Sequence, residues 1–337
     1  MQIEVNKSLK DFNTFGIDVK ASQFCSISSV AQLQKILSEN DISNLFILGG
    51  GSNLLLTKDI EGLVLHLNIK GIEVIKETEN EVFLKVNSGE NWHEFVQYCI
   101  KNNFGGVENL SLIPGNVGTA PIQNIGAYGV ELKDVFYSCN TIETRTNKEK
   151  TFTNKDCKFG YRNSIFKNEA KGKYIITDVT FSLTKKKHKL STSYGAIQAE
   201  LEKNNITNPT ISDVSKAVIS IRKSKLPDPA EIGNSGSFFK NPVIDNQSFN
   251  EFRLQNPEAP FYEVSPTQYK IPAGWLIEQC GFKGKRFGDA GVHKKQALVL
   301  VNYGNATGKE IWELALKIQE TVKNSFSIFI EPEVNVI

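Results

Sequence analysis

Apolar residues recur at two different periods along this 337-residue chain, and the switching between them predicts strands and helices mixed throughout. Val30, Leu33, Ile36 and Leu37 fall on one helical face, with Ser28 or Ser29 as the cap. Leu45–Leu48 reads as a strand, followed by Gly49-Gly50-Gly51-Ser52-Asn53 and a second apolar stretch, Leu54–Leu56. Alternation predicts strands over 62–68, 81–87 and 174–183, the last with Val179, Phe181 and Leu183 on one face. Asn91 caps a helix with Trp92, Phe95, Val96, Cys99 and Ile100 inward, and Gly105-Gly106 ends it. Ser212 opens another, with Val214, Ala217, Val218 and Ile221 inward. Thr307-Gly308-Lys309-Glu310 is a capping box for a helix bearing Ile311, Leu314, Ala315, Ile318 and Val322. Ser327 to Phe329 reads as a closing strand. A boundary is expected at Lys225-Leu226-Pro227-Asp228-Pro229, where two prolines follow a helix.

Length and charge narrow the class. A single core stops growing near roughly 250–300 residues, so more than one domain is expected. The net charge of +2 gives no broad footprint for nucleic acid. The one dense basic run, Lys185-Lys186-Lys187-His188-Lys189, follows an alternating segment and reads as a solvated hairpin end, or else as a phosphate or membrane patch. Five widely spaced cysteines, with no Cys-x-x-Cys, argue for reduced thiols in a cytoplasmic protein. The four histidines have no ligand spacing, so no metal centre is expected. The chain shows neither a signal-peptide pattern nor an apolar run near the ~20 residues that span a bilayer.

Several segments could carry chemistry. Gly233-Asn234-Ser235-Gly236-Ser237-Phe238-Phe239-Lys240-Asn241-Pro242 sets one hydroxyl, Ser237, on a glycine-bounded turn anchored by two phenylalanines; the alternative is a bulge or a capping serine. Three successive glycines at 49–51 let backbone N–H groups converge on an anion, with Ser52 and Asn53 as further donors; the alternative is a flexible hairpin turn. Neither a Walker loop nor Gly-x-Gly-x-x-Gly is present. Residues 113–129 pack four glycines and two prolines into seventeen positions, with Thr119, Gln123, Asn124 and Tyr128 as neutral polar groups. Such a loop can wrap a large planar ligand with a polar edge. Tyr161-Arg162, between aromatic anchors, could hold a carboxylate through the guanidinium fork, although a surface arginine is the commoner case. Glu333, just beyond Pro332, is either a buried acid or an exposed one.

Taken together, these segments resemble the UDP-N-acetylenolpyruvoylglucosamine reductases, flavoenzymes of peptidoglycan precursor synthesis. The resemblance rests on 49–53, 113–129, Tyr161–Phe166, Ser224–Pro229, 233–242, Ala273–Cys280 and Glu331–Val334, in order along nearly the whole chain. It implies an α+β fold: a two-lobed FAD-binding domain of the p-cresol methylhydroxylase type over 1–226 (lobes about 1–70 and 71–226), and an α+β substrate domain over 227–325. The strand in 326–337 would return to the first lobe. It implies non-covalent FAD, NADPH as co-substrate and UDP-N-acetylglucosamine enolpyruvate as substrate, in a cytoplasmic monomer with no nucleic-acid or membrane partner.

The residue roles it implies follow by position. FAD would meet Gly49, Gly50, Gly51, Ser52, Asn53, Gly115, Gly118, Thr119, Gln123, Asn124, Gly126, Ala127, Tyr128, Gly129 and Arg222. The flavin N5 would give hydride to the enolpyruvyl methylene carbon and Ser237 a proton to C2. Arg162 and Glu333 would face the substrate carboxylate, which requires Glu333 to carry or share a proton. Tyr161, Tyr194, Lys225, Asn241, Tyr262, Lys270 and Gln296 would touch substrate, with Tyr262 on a mobile loop found in the longer members of the family. His293 lies in the same segment as Gln296. Ser235 and Asp289 stand where small residues are expected. Two rivals remain: an FAD oxidase of the wider superfamily, and a nucleotide-sugar binding protein with a vestigial flavin site.

Overall fold

The structure, a computed structural model, describes residues 2–337. Contacts divide it into two units: one holds residues up to 7, 21–50 and 60–224, and the other 8–20, 51–59 and 225–337. This departs from the expected 1–226 and 227–325, because two short N-terminal segments belong to the C-terminal unit. The closing segment does reach residues 53–57 of the expected first lobe of about 1–70, but those residues themselves group with the C-terminal unit. Its strand Asn335–Val336 runs parallel to Leu54–Leu55, which itself groups with 225–337. Backbone bonds explain the grouping: Thr57 N–H donates to Ile337 O at 2.9 Å and Asn335 N–H to Asn53 O at 3.1 Å.

The first unit contains two sheets of different kinds. One is ordered Glu4–Ser8, Lys20–Ile27, Ile60–Leu67, Leu45–Leu48, and the last three strands are parallel. Helix Val30–Glu39 connects two of them and lays Leu33, Ile36 and Leu37 onto Ile27, Leu63 and Leu65. The second sheet is antiparallel, ordered Glu149–Thr153, Phe136–Glu143, Tyr174–Thr184, Glu81–Asn87, Ile72–Glu77. Val82, Leu84 and Val86 alternate inward against Trp92, Phe95 and Val96 of helix Trp92–Lys101. Trp92 is buried but keeps its polar handle satisfied, donating from Nε1 to Leu110 O at 2.9 Å. Full burial of each such large side chain stabilises by roughly 1.5–3 kcal/mol.

The second unit is built on an antiparallel sheet ordered Gly233–Asn234, Leu300–Asn302, Ala290–Val292, Arg286–Phe287. Helix Gly308–Phe326 buries Ile311, Leu314, Ala315, Ile318 and Val322 in this unit. A smaller sheet orders Val243–Asp245, Gln268–Lys270, Tyr262–Ser265. The mixture of helices with parallel and antiparallel sheets is α+β. Among the described residues, no helix is long and apolar enough to cross a membrane.

Three element boundaries differ from the sequence pattern. Helix Trp92–Lys101 ends before Gly105-Gly106, and Asn103 takes the left-handed angle (φ 56°) expected of a glycine. Helix Ile211–Lys225 is capped by Thr210, whose Oγ1 accepts from Asp213 N–H, and Ser212 lies inside its first turn. Ser327–Phe329 is not a strand, because the helix runs on to Phe326 and Ser327 stops it at φ 55°. The basic run at 185–189 begins a turn in which Lys185 pairs with Glu77 and Lys186 with Glu79.

Candidate active site

In the first unit, the glycines of 49–50 and 113–129 serve close approach. A Cβ on Gly118 would stand 2.4 Å from Ser88 Cβ, and one on Gly49 would stand 2.4 Å from Thr119 Cγ2. The two loops therefore touch at Gly49 and Thr119, while Gly118 lies too close to the Ser88 backbone for a side chain. Beside them Ser88 Oγ and Asn109 Oδ1 are buried without a hydrogen-bond partner. Buried polar atoms of this kind call for an additional group. Gly126–Ala127 and Val130–Glu131 form a hairpin closed by Tyr128 (φ 51°) and Gly129 (φ 82°), the positive pair that a tight hairpin requires.

That hairpin presents Tyr128 edge-on to Tyr194, with centroids 5.4 Å apart, and hydrogen-bonded to Arg222. Burial pushes the Tyr128 phenol up and the half-buried Arg222 down. Arg222 Nε donates to Leu112 O at 3.2 Å. Its hydrogen-bond partners, Tyr128 and Leu112 O, are thus neutral, and the positive charge of Arg162 also disfavours its charged form. A half-buried guanidinium with only neutral partners suits an anion such as a diphosphate. Arg222, the Gly49-Gly50 backbone, the 115–119 loop and the orphaned Ser88 and Asn109 atoms fit FAD. Gln123 is half-buried. Asn124 is wholly buried with its carboxamide engaged inside the unit, which leaves only its backbone to meet a ligand.

Arg162 sits in a two-residue turn closed by reciprocal bonds between Gly160 and Asn163, at 3.0 and 3.1 Å. Its backbone is left-handed (φ 50°), and Nη2 donates to Gly126 O at 2.7 Å. The guanidinium lies 5.6 Å from the centroid of Tyr161, which is exposed.

In the second unit, Gly51 has φ +60° and a Cβ there would fall 2.0 Å from Phe12 O, so only glycine fits. Asn53 Nδ2 donates to Glu333 O at 3.3 Å. Residues 237–240 run between two partners. Phe238 N–H donates to Leu298 O, and Glu333 N–H donates to Phe238 O, both at 2.7 Å; Lys240 N–H reaches Glu331 O at 2.9 Å. The buried Phe238 and Phe239 fix the segment from below, and Ser237 between Gly236 and Phe238 remains half-exposed. Ser237 and Glu333 are therefore held on neighbouring extended segments, with the Gln296–Leu298 turn on the other side. Gln296 Oε1 accepts from Leu298 N–H at 3.3 Å. Asn241 Oδ1 accepts from Ala273 N–H at 2.9 Å, which caps helix Ala273–Gln279.

Lys270 lies opposite both Val243 and Tyr262 in the smaller sheet. Tyr262, expected on a mobile loop, begins a strand here and is 58 % exposed. It borders a concavity of ≈ 410 Å³ with Arg253, Pro257 and Phe261. Lys225 is exposed at the end of its helix. His293 Nδ1 is buried without a partner. The two departures from small residues have structural uses. Ser235 Oγ donates to Leu54 O at 3.1 Å, and Asp289 accepts from Arg286 and from Asn305 N–H. Sequence reasoning missed Ser88 and Asn109, whose only signals were ordinary ones: a serine after an alternating strand and an asparagine in a loop.

Residues 228–337 match the family model described as UDP-N-acetylenolpyruvoylglucosamine reductase, C-terminal domain, and residues 21–146 match a model described as FAD binding domain. The chain is 62% identical to a UDP-N-acetylenolpyruvoylglucosamine reductase of Flavobacterium johnsoniae, with 100% of each chain covered. It is 46% identical to one of Chromobacterium violaceum, covering 99% of this chain and 98% of that one. The solved structure of such a reductase from Thermus caldophilus shares the fold, with a TM-score of 0.69 over 99% of this chain and 98% of that one at 23% identity. The chain belongs to the UDP-N-acetylenolpyruvoylglucosamine reductase family and is an FAD-dependent oxidoreductase that forms UDP-N-acetylmuramate from UDP-N-acetylglucosamine enolpyruvate in peptidoglycan synthesis.

Proposed function

We propose that NADPH is the reductant, that Ser237 is the proton donor to substrate C2, and that Arg162 and Glu333 bind the substrate carboxylate. Bound FAD supplies the hydride that the enolpyruvyl methylene carbon accepts. Every other demand falls on side chains. As C3 gains hydride, negative charge grows on C2 and its carboxylate, and Arg162 offers a fixed positive fork for it. Glu333 supports the same charge only as a proton donor, since a second carboxylate would repel it. A carbanion-like C2 is basic enough to take the Ser237 Oγ proton, leaving an alkoxide to be reprotonated.

The observation that best supports this reading is the backbone pairing through Phe238, which fixes a hydroxyl-bearing and a carboxyl-bearing segment side by side within one unit. For the nucleotide diphosphate we propose Lys225, Lys270, Tyr194, Tyr262, Asn241 and Gln296, all with polar ends suited to phosphate or sugar. The same reading puts the reaction in the cytoplasm, supported by five free cysteines, four of them buried. Ser237→Ala separates the roles. Flavin reduction by NADPH should proceed at the wild-type rate, while transfer to the enolpyruvyl ether slows by at least about 10²-fold. Equal slowing of both half-reactions removes Ser237 from the proton-donor role.

A further inference from the structure

We propose that Asn124 is a positioning residue that aims Arg162; this rests on the carboxylate-binding reading of Arg162 above. Asn124 is fully buried and left-handed (φ 44°). Both hydrogens of its carboxamide are used: Nδ2 donates to Gly160 O and to Glu131 Oε2, each at 3.0 Å. Its Oδ1 accepts from Lys133 N–H at 3.0 Å. Gly160 O is the critical partner. It also accepts from Asn163 N–H, and that bond closes the turn carrying Arg162 in its left-handed conformation. The far end of Arg162 is held as well. Nη2 donates to Gly126 O, two residues after Asn124, and a Cβ at Gly126 would come within 3.2 Å of Nη1.

Asn124 therefore fixes the base of the arginine turn directly and the resting place of the guanidinium through the short chain to Gly126. An amide is required in this role. Glu131 already pairs with Lys133 at 2.8 Å, so an acid at 124 would meet a carboxylate and a carbonyl with no proton to give either. A misplacement of the fork by about 1 Å can cost on the order of 10²-fold in rate.

The test is a double-mutant cycle on the holoenzyme, read as anaerobic flavin reoxidation by UDP-N-acetylglucosamine enolpyruvate. Asn124→Gly permits the left-handed backbone and removes the side chain with its carboxamide. It should slow reoxidation by up to about 10²-fold when Arg162 is present. In an Arg162→Ala background it should have almost no further effect, while lowering the thermal midpoint equally in both. The same fold-slowing in both backgrounds, or none with Arg162 present, overturns the positioning role and leaves the Arg162 reading intact. Unchanged reoxidation in Arg162→Ala alone overturns the Arg162 reading, and the positioning role with it. If Asn124→Gly loses flavin or fails to fold, Asn124→Asp, which also tolerates the left-handed backbone, enters the same cycle with the same criteria.

Discussion

Asn124, Tyr128 and Arg162 all hold left-handed backbone angles. Such angles cost roughly 1–3 kcal/mol in a side-chain-bearing residue and persist where the surroundings over-determine them. Here the restraints are visible: three hydrogen bonds on Asn124, the Tyr128–Arg222 pair, and the closed Gly160–Asn163 turn. The residue types were legible in the sequence, but the angles were not, because nothing in the letters Tyr161-Arg162 marks a positive φ. Two substitutions test this scale. Gly118→Ala would force a Cβ against Ser88, and should lower FAD retention on dilution while leaving the helical content measured by circular dichroism unchanged. Wild-type retention would mean that the loop contact does not shape the cofactor site. Glu333→Gln keeps a hydrogen-bond donor, so the substrate dissociation constant should stay within a few-fold; strong loss of binding would argue for an ionised Glu333 instead.

Helix ends show how far patterning reaches at the scale of elements. Ser29, Asn91 and Thr307 cap the helices where the sequence puts them, each accepting a backbone N–H bond from the first turn. Thr307→Ala removes one half of the capping box with Glu310 and should cost about 1 kcal/mol, read as a lower denaturation midpoint with unchanged slope. No shift would mean that the cap is redundant with the buried face. The elements that were misread failed for local reasons. Thr210 and Ser212 are both good caps, and only the reciprocal Asp213 bond chooses between them. The 327–329 segment is apolar enough for a strand, yet the buried face of the preceding helix extends through Val322 and draws the chain on to Phe326. The grouping of 8–20 and 51–59 with the C-terminal unit rests on long-range backbone pairing, which leaves no periodic trace.

Stability of the whole molecule should depend on pH through its buried and half-buried imidazoles. Burial, then neighbouring Arg222 and Lys223, hold His93 below the ordinary histidine value; burial, then Lys295 and Lys294, do the same for His293. His93 Nδ1 accepts from Leu112 N–H at 2.9 Å, a bond available only to an unprotonated nitrogen. The unfolded chain protonates these rings near pH 6.5, while the folded chain does so only at lower pH. Over that window the unfolded state binds more protons, so stability falls as pH drops. The thermal midpoint should decline from about pH 7.5 to about 5.5, and His93→Gln should shrink the decline. A flat profile would contradict the neutral-imidazole account.

The central claim concerns the chemistry of the assembled enzyme, and an anaerobic visible spectrum of the purified protein tests it most directly. The protein should be yellow from bound FAD, bleach on addition of NADPH, and recover its absorbance when UDP-N-acetylglucosamine enolpyruvate is added. A flavin that reoxidises only on exposure to air, or a protein that carries no flavin, would contradict it.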